Sequence, residues 1–280
     1  MHIVYLNGEY IPLAEARISV LDRGFTFADG VYEVLPVYYG KVFRQQEHLL
    51  RLNNSLTAIY IENPLPSNEW KKVFTELIKR NHDTGNQQLY VHISRGESAR
   101  NHLFEEQMDA TVFAMCRPLE KKGFENGISA ITHDDIRWQY CHIKSTALLA
   151  NVLLKKKAQE SNNAKAAILL RDEFVTEGTA SNVFVVKDSK VKTPAKDGNI
   201  LAGITRDLLV ELLQKSNIEC EEMPISYEEL TDADEIWLTS STMGIVSVVK
   251  LDERLVGSGK PGELWKQANA MFETFTQSAS

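Results

Sequence analysis

The sequence predicts an α+β protein of two domains, and three observations carry that reading. At 280 residues the chain is longer than one hydrophobic core usually serves and suits two domains sharing an interface. Short apolar runs bounded by Asn-Gly, Tyr-Gly and Asp-Ser turns recur in both halves, with helix-period segments between them. Near the middle, Arg117-Pro118-Leu119-Glu120-Lys121-Lys122-Gly123 combines proline, a charge run and glycine, the composition of a linker. The expected organisation is a smaller N-terminal domain over 1–116, a linker over 117–123 and a larger C-terminal domain over 124–280.

In the first half, Val4-Tyr5-Leu6 and Tyr10-Ile11-Pro12 flank Asn7-Gly8, a pair suited to the positive φ angles of a type I′ hairpin. Val31 to Tyr38 and Lys41 to Arg44 form a second pair of strands around Tyr39-Gly40. Leu49, Leu52, Leu56 and Ile59 recur at spacings of three and four, which predicts a helix over 45–59 with that face buried. Trp70, Val73, Leu77 and Ile78 predict another helix from Ser67. Strands follow at 88–95 and 110–116, with a polar loop over 96–107.

In the second half, Ile128 to Thr132 reads as a strand. Next comes Arg137-Trp138-Gln139-Tyr140-Cys141-His142-Ile143-Lys144-Ser145-Thr146, a short strand-like run expected to pass directly into a helix from Ala147 to about Glu160. Strands at 166–170, 174–177, 182–186 and 191–193 precede a helix over 205–213. Ser226-Tyr227-Glu228-Glu229 has the reciprocal pattern of a capping box. Strands at 235–240 and 245–251 lead to a terminal helix with Leu264, Trp265, Ala268 and Phe272 inward. The sheets are expected to be mostly antiparallel.

Composition removes several function classes. A net charge of −7 with no basic block argues against non-specific nucleic-acid binding. Cys116, Cys141 and Cys220 are odd in number and widely spaced, so neither a disulfide framework nor a zinc knuckle is suggested, and a reducing cytosol fits best. Met1 to Glu9 lacks the layout of a signal peptide. No apolar run approaches the ~20 residues of a membrane span. A Gly-x-Ser-x-Gly elbow is absent and the histidines show no metal-ligand spacing, which sets aside a plain hydrolase and a metal centre.

The stretch that carries chemistry is the one delivering Lys144. A lysine beside helix-start hydroxyls is where a Schiff-base amine would sit, although a solvated surface lysine looks the same in sequence. An aldehyde cofactor such as pyridoxal phosphate needs that lysine, an anion site for its phosphate and a carboxylate for its ring nitrogen. Ala202-Gly203-Ile204-Thr205-Arg206 opens a helix whose N–H groups and dipole favour an anion, and Gly203 would allow close backbone approach. Ser240-Ser241-Thr242-Met243-Gly244 offers a second hydroxyl-rich turn, or is simply a hairpin. Arg51 borders an apolar helix face and supplies a cation, or snorkels to solvent. Glu177, in the tight polar turn Val175 to Asn182, is the carboxylate candidate, or an exposed turn residue.

Taken together, Asp22-Arg23-Gly24-Phe25-Thr26-Phe27-Ala28-Asp29-Gly30-Val31-Tyr32-Glu33, His48-Leu49-Leu50-Arg51-Leu52, Ile143-Lys144-Ser145, Thr176-Glu177-Gly178 through Ser181-Asn182-Val183-Phe184, and Gly203-Ile204-Thr205-Arg206 resemble the fold-type IV (class IV) pyridoxal-phosphate aminotransferases. The matches fall in order and span nearly the whole chain; each motif is weak alone and specific in the set. Within that family the Arg-x-His of Arg100-Asn101-His102 is similar to the carboxylate trap of the D-amino-acid branch. The resemblance implies a small α/β domain and a larger domain with a mainly antiparallel sheet or barrel. It implies pyridoxal 5′-phosphate on Lys144, with Glu177 at the ring nitrogen and Arg51, Ile204, Thr205, Ser241 and Thr242 at the phosphate. Tyr32, Arg100 and His102 would fix the substrate carboxylate, with Arg95 a rival cation. The implied reaction is ping-pong transfer from a D-amino acid to 2-oxoglutarate or pyruvate, in a cytoplasmic homodimer. Aminodeoxychorismate lyases and branched-chain L-aminotransferases share the lysine and glutamate, and the Arg100–His102 pair argues against both. A non-catalytic vitamin B6-binding protein would not need Lys144 and Glu177 together. One departure from many relatives is Ala28, where they carry glycine; an extra methyl there could shift the loop that places Tyr32.

Overall fold

The computed structural model describes residues 2–81, 85–120 and 123–278. The Lys121-Lys122 pair of the expected linker lies outside the described residues, while Arg117 and Pro118 end a strand. Two compact units are present, one made chiefly of Met1–Glu120 with Ile143–Ala147, the other of Lys121–His142 with Leu148–Ser278. Sheets and helices in both make the chain α+β.

The first unit contains β1 (Ile3–Leu6), β2 (Glu9–Pro12), α1 (Arg23–Phe27), β3 (Gly30–Tyr38), β4 (Lys41–Val42), α2 (Gln45–Ala58), α3 (Ser67–Arg80), β5 (Gln87–Ser94) and β6 (Thr111–Pro118). Its six-stranded sheet has the order β2-β1-β6-β5-β3-β4, and every pairing is antiparallel. Asn7 at φ 46° and Gly8 at φ 97° make the first hairpin turn, as the Asn-Gly pair demands. Alternate residues Val31, Leu35 and Val37 of β3 pack with Leu52 and Leu56 of α2 and Trp70 of α3 in one buried cluster. Burial of each such side chain contributes ~1.5–3 kcal/mol. The segment Ile143–Ala147 lies along the start of β3: Tyr32 N donates to Lys144 O (2.9 Å) and Thr146 N to Gly30 O (3.0 Å). The carrier of Lys144 is therefore a single bridged segment, Ser145 opposite Val31, rather than a regular strand.

The second unit contains β7 (Ile128–Asp134), α4 (Leu149–Glu160), β8 (Ala166–Arg171), β9 (Phe174–Gly178), β10 (Asn182–Lys187), β11 (Lys190–Thr193), α5 (Ile204–Lys215), β12 (Cys220–Glu222), α6 (Tyr227–Thr231), β13 (Glu235–Ser240), β14 (Gly244–Leu251), β15 (Arg254–Leu255) and α7 (Glu263–Ser278). The sheet order is β12-β11-β10-β13-β14-β7-β8-β9, with β15 paired to β14. Three pairings, β11–β12, β14–β7 and β7–β8, are parallel; the others are antiparallel. The capping box of α6 is formed: Glu229 N donates to Ser226 Oγ (3.1 Å) and Ser226 N to Glu229 Oε2 (2.9 Å). The helix expected from Ala147 begins instead at Leu149; Thr146, just before the expected start, donates its N–H to Gly30 O (3.0 Å). Its apolar periodicity also faces outward: Leu154 and Ala158 are buried, whereas Leu149, Val152 and Leu153 are exposed.

Candidate active site

In the first unit, Lys144 is half-buried and its Nζ stands 4.3 Å from the centre of the Tyr32 ring. Its backbone is fixed on both sides, N donating to Ser55 Oγ (3.2 Å) and O accepting from Tyr32 N (2.9 Å). Tyr32 also meets Tyr90, at 6.0 Å between ring centres, and the Tyr90 hydroxyl is hydrogen-bonded to His92 Nδ1. A strand face of rings thus carries the amine.

The neighbouring phase of β3 holds Glu33, a charge among apolar residues. Arg51 grips it with two bonds, Nε to Oε1 (2.7 Å) and Nη2 to Oε2 (2.9 Å), and His48 Nδ1 adds a third at 2.8 Å. Burial pushes the Glu33 carboxyl up, but the Arg51 guanidinium and the His48 bond outweigh it and hold the carboxyl well below the usual carboxylate range. Burial also lowers His48 more than Glu33 raises it, so His48 donates as a neutral ring and Arg51 supplies the compensating charge. Arg51 is buried rather than snorkelling. Glu33 is a residue whose role sequence reasoning missed, and its signal was available: a glutamate in phase with Val31, Leu35 and Val37 needs a buried cation.

The loop after β5 separates two arginines. Arg95 is buried and committed, with Nε and Nη2 on the two Asp29 oxygens (2.8 and 2.9 Å) and further bonds to the carbonyls of Ile59 and Tyr60. Arg100 and His102 are exposed. They flank one ring, the Arg100 guanidinium 5.0 Å and the His102 ring 5.5 Å from the centre of Phe27. Of the two arginines, Arg100 is the one whose fork is presented outward.

In the second unit, Glu177 ends β9 buried. Its Oε2 accepts from Leu201 N (3.0 Å) and Asn182 Nδ2 (3.2 Å), and its Oε1 from Arg137 Nη1. Arg137 is itself held by Asp135, and the same Asp135 accepts from Thr176 Oγ1 at 2.9 Å. Burial works against the Arg137 charge, but Asp135 and Glu177 more than offset it. Asn182 explains a glycine: a Cβ on Gly203 would stand 1.9 Å from Asn182 Oδ1. The sequence reading gave Gly203 to phosphate approach; the structure ties it to the side chain that helps hold Glu177. Arg137, Asp135 and Asn182 were not singled out in sequence, since their roles depend on contacts across β-strands.

Gly203 N-caps α5 at φ −74° and ψ 128° without a side-chain cap, and Ile204 and Thr205 form the buried first turn. A twelve-residue helix opening in that way suits an anion. The β13–β14 hairpin presents Ser241 and Thr242, both half-buried. Just before them, Thr239 Oγ1 and Ser240 Oγ are buried with no partner among the described residues, an unusual cost unless a ligand supplies one. Pyridoxal phosphate requires an amine, a carboxylate and an anion site; the first unit offers an amine at Lys144, and the second, by itself, a buried carboxylate at Glu177 and a helix end without a side-chain cap at Gly203. No group of histidine, cysteine, aspartate and glutamate able to hold a metal occurs among the described residues.

The family model for class IV amino-transferases matches residues 30–251. A D-alanine aminotransferase of Bacillus licheniformis is 39% identical over 274 residues, covering 96% of this chain and 95% of the relative. One of Staphylococcus haemolyticus is 37% identical, covering 99% of each. Among solved structures, the branched-chain amino acid aminotransferase of Escherichia coli superposes with a TM-score of 0.91 at 24% identity, over 98% of this chain and 94% of that one. That of Thermoproteus uzoniensis superposes with a TM-score of 0.90 at 23% identity, over 99% and 95%. At those identities the likeness is one of fold. With the family model spanning most of its length and full-length relatives above a third identical, the chain belongs to the class IV aminotransferases.

Proposed function

We propose that this class IV aminotransferase moves the amino group of D-amino acids to 2-oxo acids, 2-oxoglutarate or pyruvate, in two half-reactions. The observation that carries the D-amino-acid reading is the Arg100–His102 pair poised on Phe27, in a chain whose full-length relatives are named D-alanine aminotransferases. Pyridoxal 5′-phosphate is the cofactor, and it supplies the electron-withdrawing ring that makes a substrate Cα–H acidic. Lys144 Nζ would hold the cofactor aldehyde and would carry a proton at the substrate Cα. Glu177 pairs with the ring nitrogen, its position kept by Arg137, Asn182 and Leu201 N. Arg51, Ile204, Thr205, Ser241 and Thr242 hold the phosphate. Tyr32, Arg100 and His102 receive the substrate carboxylate, the guanidinium through two parallel N–H bonds.

Replacement of Arg100 by alanine tests the trap. In the single-turnover amine-donor half-reaction, Arg100→Ala should raise the KM for D-alanine by roughly ten- to hundredfold, a loss of ~1.5–3 kcal/mol for a charge-assisted contact. D-Alaninamide, which lacks the carboxylate, should react within about threefold of the parent rate. Equal losses on both substrates would remove Arg100 from the trap.

A second copy of this chain is the proposed partner, and the cytoplasm the proposed location. The exposed Leu149, Val152 and Leu153 on α4, and Phe25 and Leu103 in the first unit, are surfaces such a copy would cover. A mass of one chain by light scattering at assay concentration would exclude the dimer. No described helix is long and apolar enough to cross a membrane.

A further inference from the structure

We propose that α1 is the mount of the substrate-carboxylate loop, with Arg23 as its positioning residue and Phe27 as its platform; this rests on the reading that Arg100 and His102 take the carboxylate. Arg23 opens α1 and is only 3% exposed. Its three guanidinium nitrogens go to three places: Nε to Asp29 Oδ2 (2.8 Å), Nη1 to Asn101 O (2.6 Å) and Nη2 to His102 O (3.3 Å). Those two carbonyls belong to the residues immediately after Arg100. Arg23 therefore grips the backbone from which both side chains of the pair hang.

Charge neutralisation alone does not explain this arrangement. Asp29 already receives two bonds from Arg95 and one from Arg23 Nε. The two Nη bonds to the loop are additional, and they spend a buried guanidinium on carbonyls that solvent would otherwise satisfy. The loop needs such fixing, because Arg100, Asn101, His102 and Leu103 are exposed and outside regular structure. Phe27 supplies the second hold. Its ring is met by Arg23 at 4.8 Å, Arg100 at 5.0 Å and the His102 ring at 5.5 Å. Phe104 closes the loop onto the same frame, with the Arg95 guanidinium 3.7 Å from its ring centre.

The frame behind α1 is rigid. Asp22 caps the helix through Gly24 N (2.7 Å) and accepts from Ser94 Oγ (2.9 Å) and Thr111 Oγ1 (2.7 Å). A Cβ on Gly24 would stand 2.7 Å from the Ser94 Cβ, so the helix lies tight on the end of β5. Arg23 N donates to Gly96 O (2.8 Å) and Arg95 N to Asp29 O (3.0 Å), which ties both ends of the segment to the strand that launches the loop. Arg23 thus transmits a fixed frame to an exposed pair. A lysine could keep the charge beside Asp29 but could not fork onto two further carbonyls.

The test uses holoenzyme variants Arg23→Lys, Arg23→Gln and Phe27→Leu beside Arg100→Ala, each checked for an unchanged cofactor absorption band. For the Arg23 variants, KM for D-alanine should rise roughly ten- to hundredfold, the effect of displacing a binding group by about 1 Å, with kcat within about threefold. D-Alaninamide should be unaffected, and Arg23→Lys combined with Arg100→Ala should be no worse than Arg100→Ala alone. Phe27→Leu leaves the buried charge intact, so it carries the test should both Arg23 variants fail to fold; it should show the same selective rise. If Arg100→Ala does not distinguish the two substrates, the carboxylate reading itself fails. If Arg100→Ala distinguishes them but the α1 variants affect both substrates equally, lower kcat alone or change neither, the mounting role is overturned.

Discussion

Glu33 shows how one side chain decides the character of its surroundings. It lies 1% exposed within the strand phase that otherwise builds the first unit's core, and three bonds from Arg51 and His48 make that tolerable. Glu33→Gln would leave the Arg51 charge buried with a weaker partner and should cost about 3–5 kcal/mol of unfolding free energy, measured by urea denaturation. A loss below about 1 kcal/mol would mean that Arg51 finds compensation elsewhere. The pH dependence has a definite sign. Glu33, Asp29 and Asp135 are held below their ordinary values of 4.5, 3.8 and 3.8 because their arginine partners outweigh the effect of burial. Their stabilisation is complete above those values and is lost as pH falls through the lower values of the folded state. His48 and His92, lowered from 6.5 by burial, resist charging and add a loss that starts below that value. The urea midpoint should therefore decline gently below about pH 6.5 and steeply below about pH 4.5. Glu33→Gln should flatten the steep part; an unchanged slope would remove Glu33 as a main cause. At this scale, Lys144 and Glu177 were singled out as candidates from the residues around them in the chain. Asp135, Arg137 and Asn182 were not, because what makes them matter is each other.

Elements with a strong local period were legible to within a residue or two. The α2 helix expected over 45–59 runs Gln45–Ala58, and the capping box at Ser226 forms as written. The start of α4, expected at Ala147, falls two residues later at Leu149, just past a segment whose Lys144 O and Thr146 N are bonded to β3. The five-residue α1 escaped notice because it is shorter than any apolar period can reveal. Its end sets Ala28 apart: Ala28 caps α1 in the left-handed region, φ 55° and ψ 30°. An L-residue there is strained by roughly 1–2 kcal/mol, which glycine avoids at the cost of a more flexible unfolded chain. Ala28→Gly should therefore stabilise the protein by about 1 kcal/mol, or ~2–4 °C in a thermal melt at this size. A lower melting temperature would show that the Ala28 methyl makes compensating contacts.

For the molecule as a whole, the α+β class followed from turn chemistry and alternating apolar runs, both local properties of the chain. The order of strands did not. The three parallel pairings of the second sheet join segments far apart in sequence, and a parallel pair leaves no hairpin turn to announce it. Nor does the sequence announce that Lys144 travels with the first unit while Glu177 belongs to the second. Function was legible earlier than topology because the chemistry is written in short segments whose order along the chain is sufficient to recognise them. What those segments assert most strongly is a cofactor-bearing lysine in an enzyme for D-amino acids. Absorbance of the purified holoenzyme tests that assertion directly. The cofactor's visible band should be present, should bleach on addition of D-alanine and not of L-leucine, and should return on addition of pyruvate, while Lys144→Ala should support none of this cycle. Bleaching by L-leucine alone, or no visible band after reconstitution with pyridoxal 5′-phosphate, would contradict it.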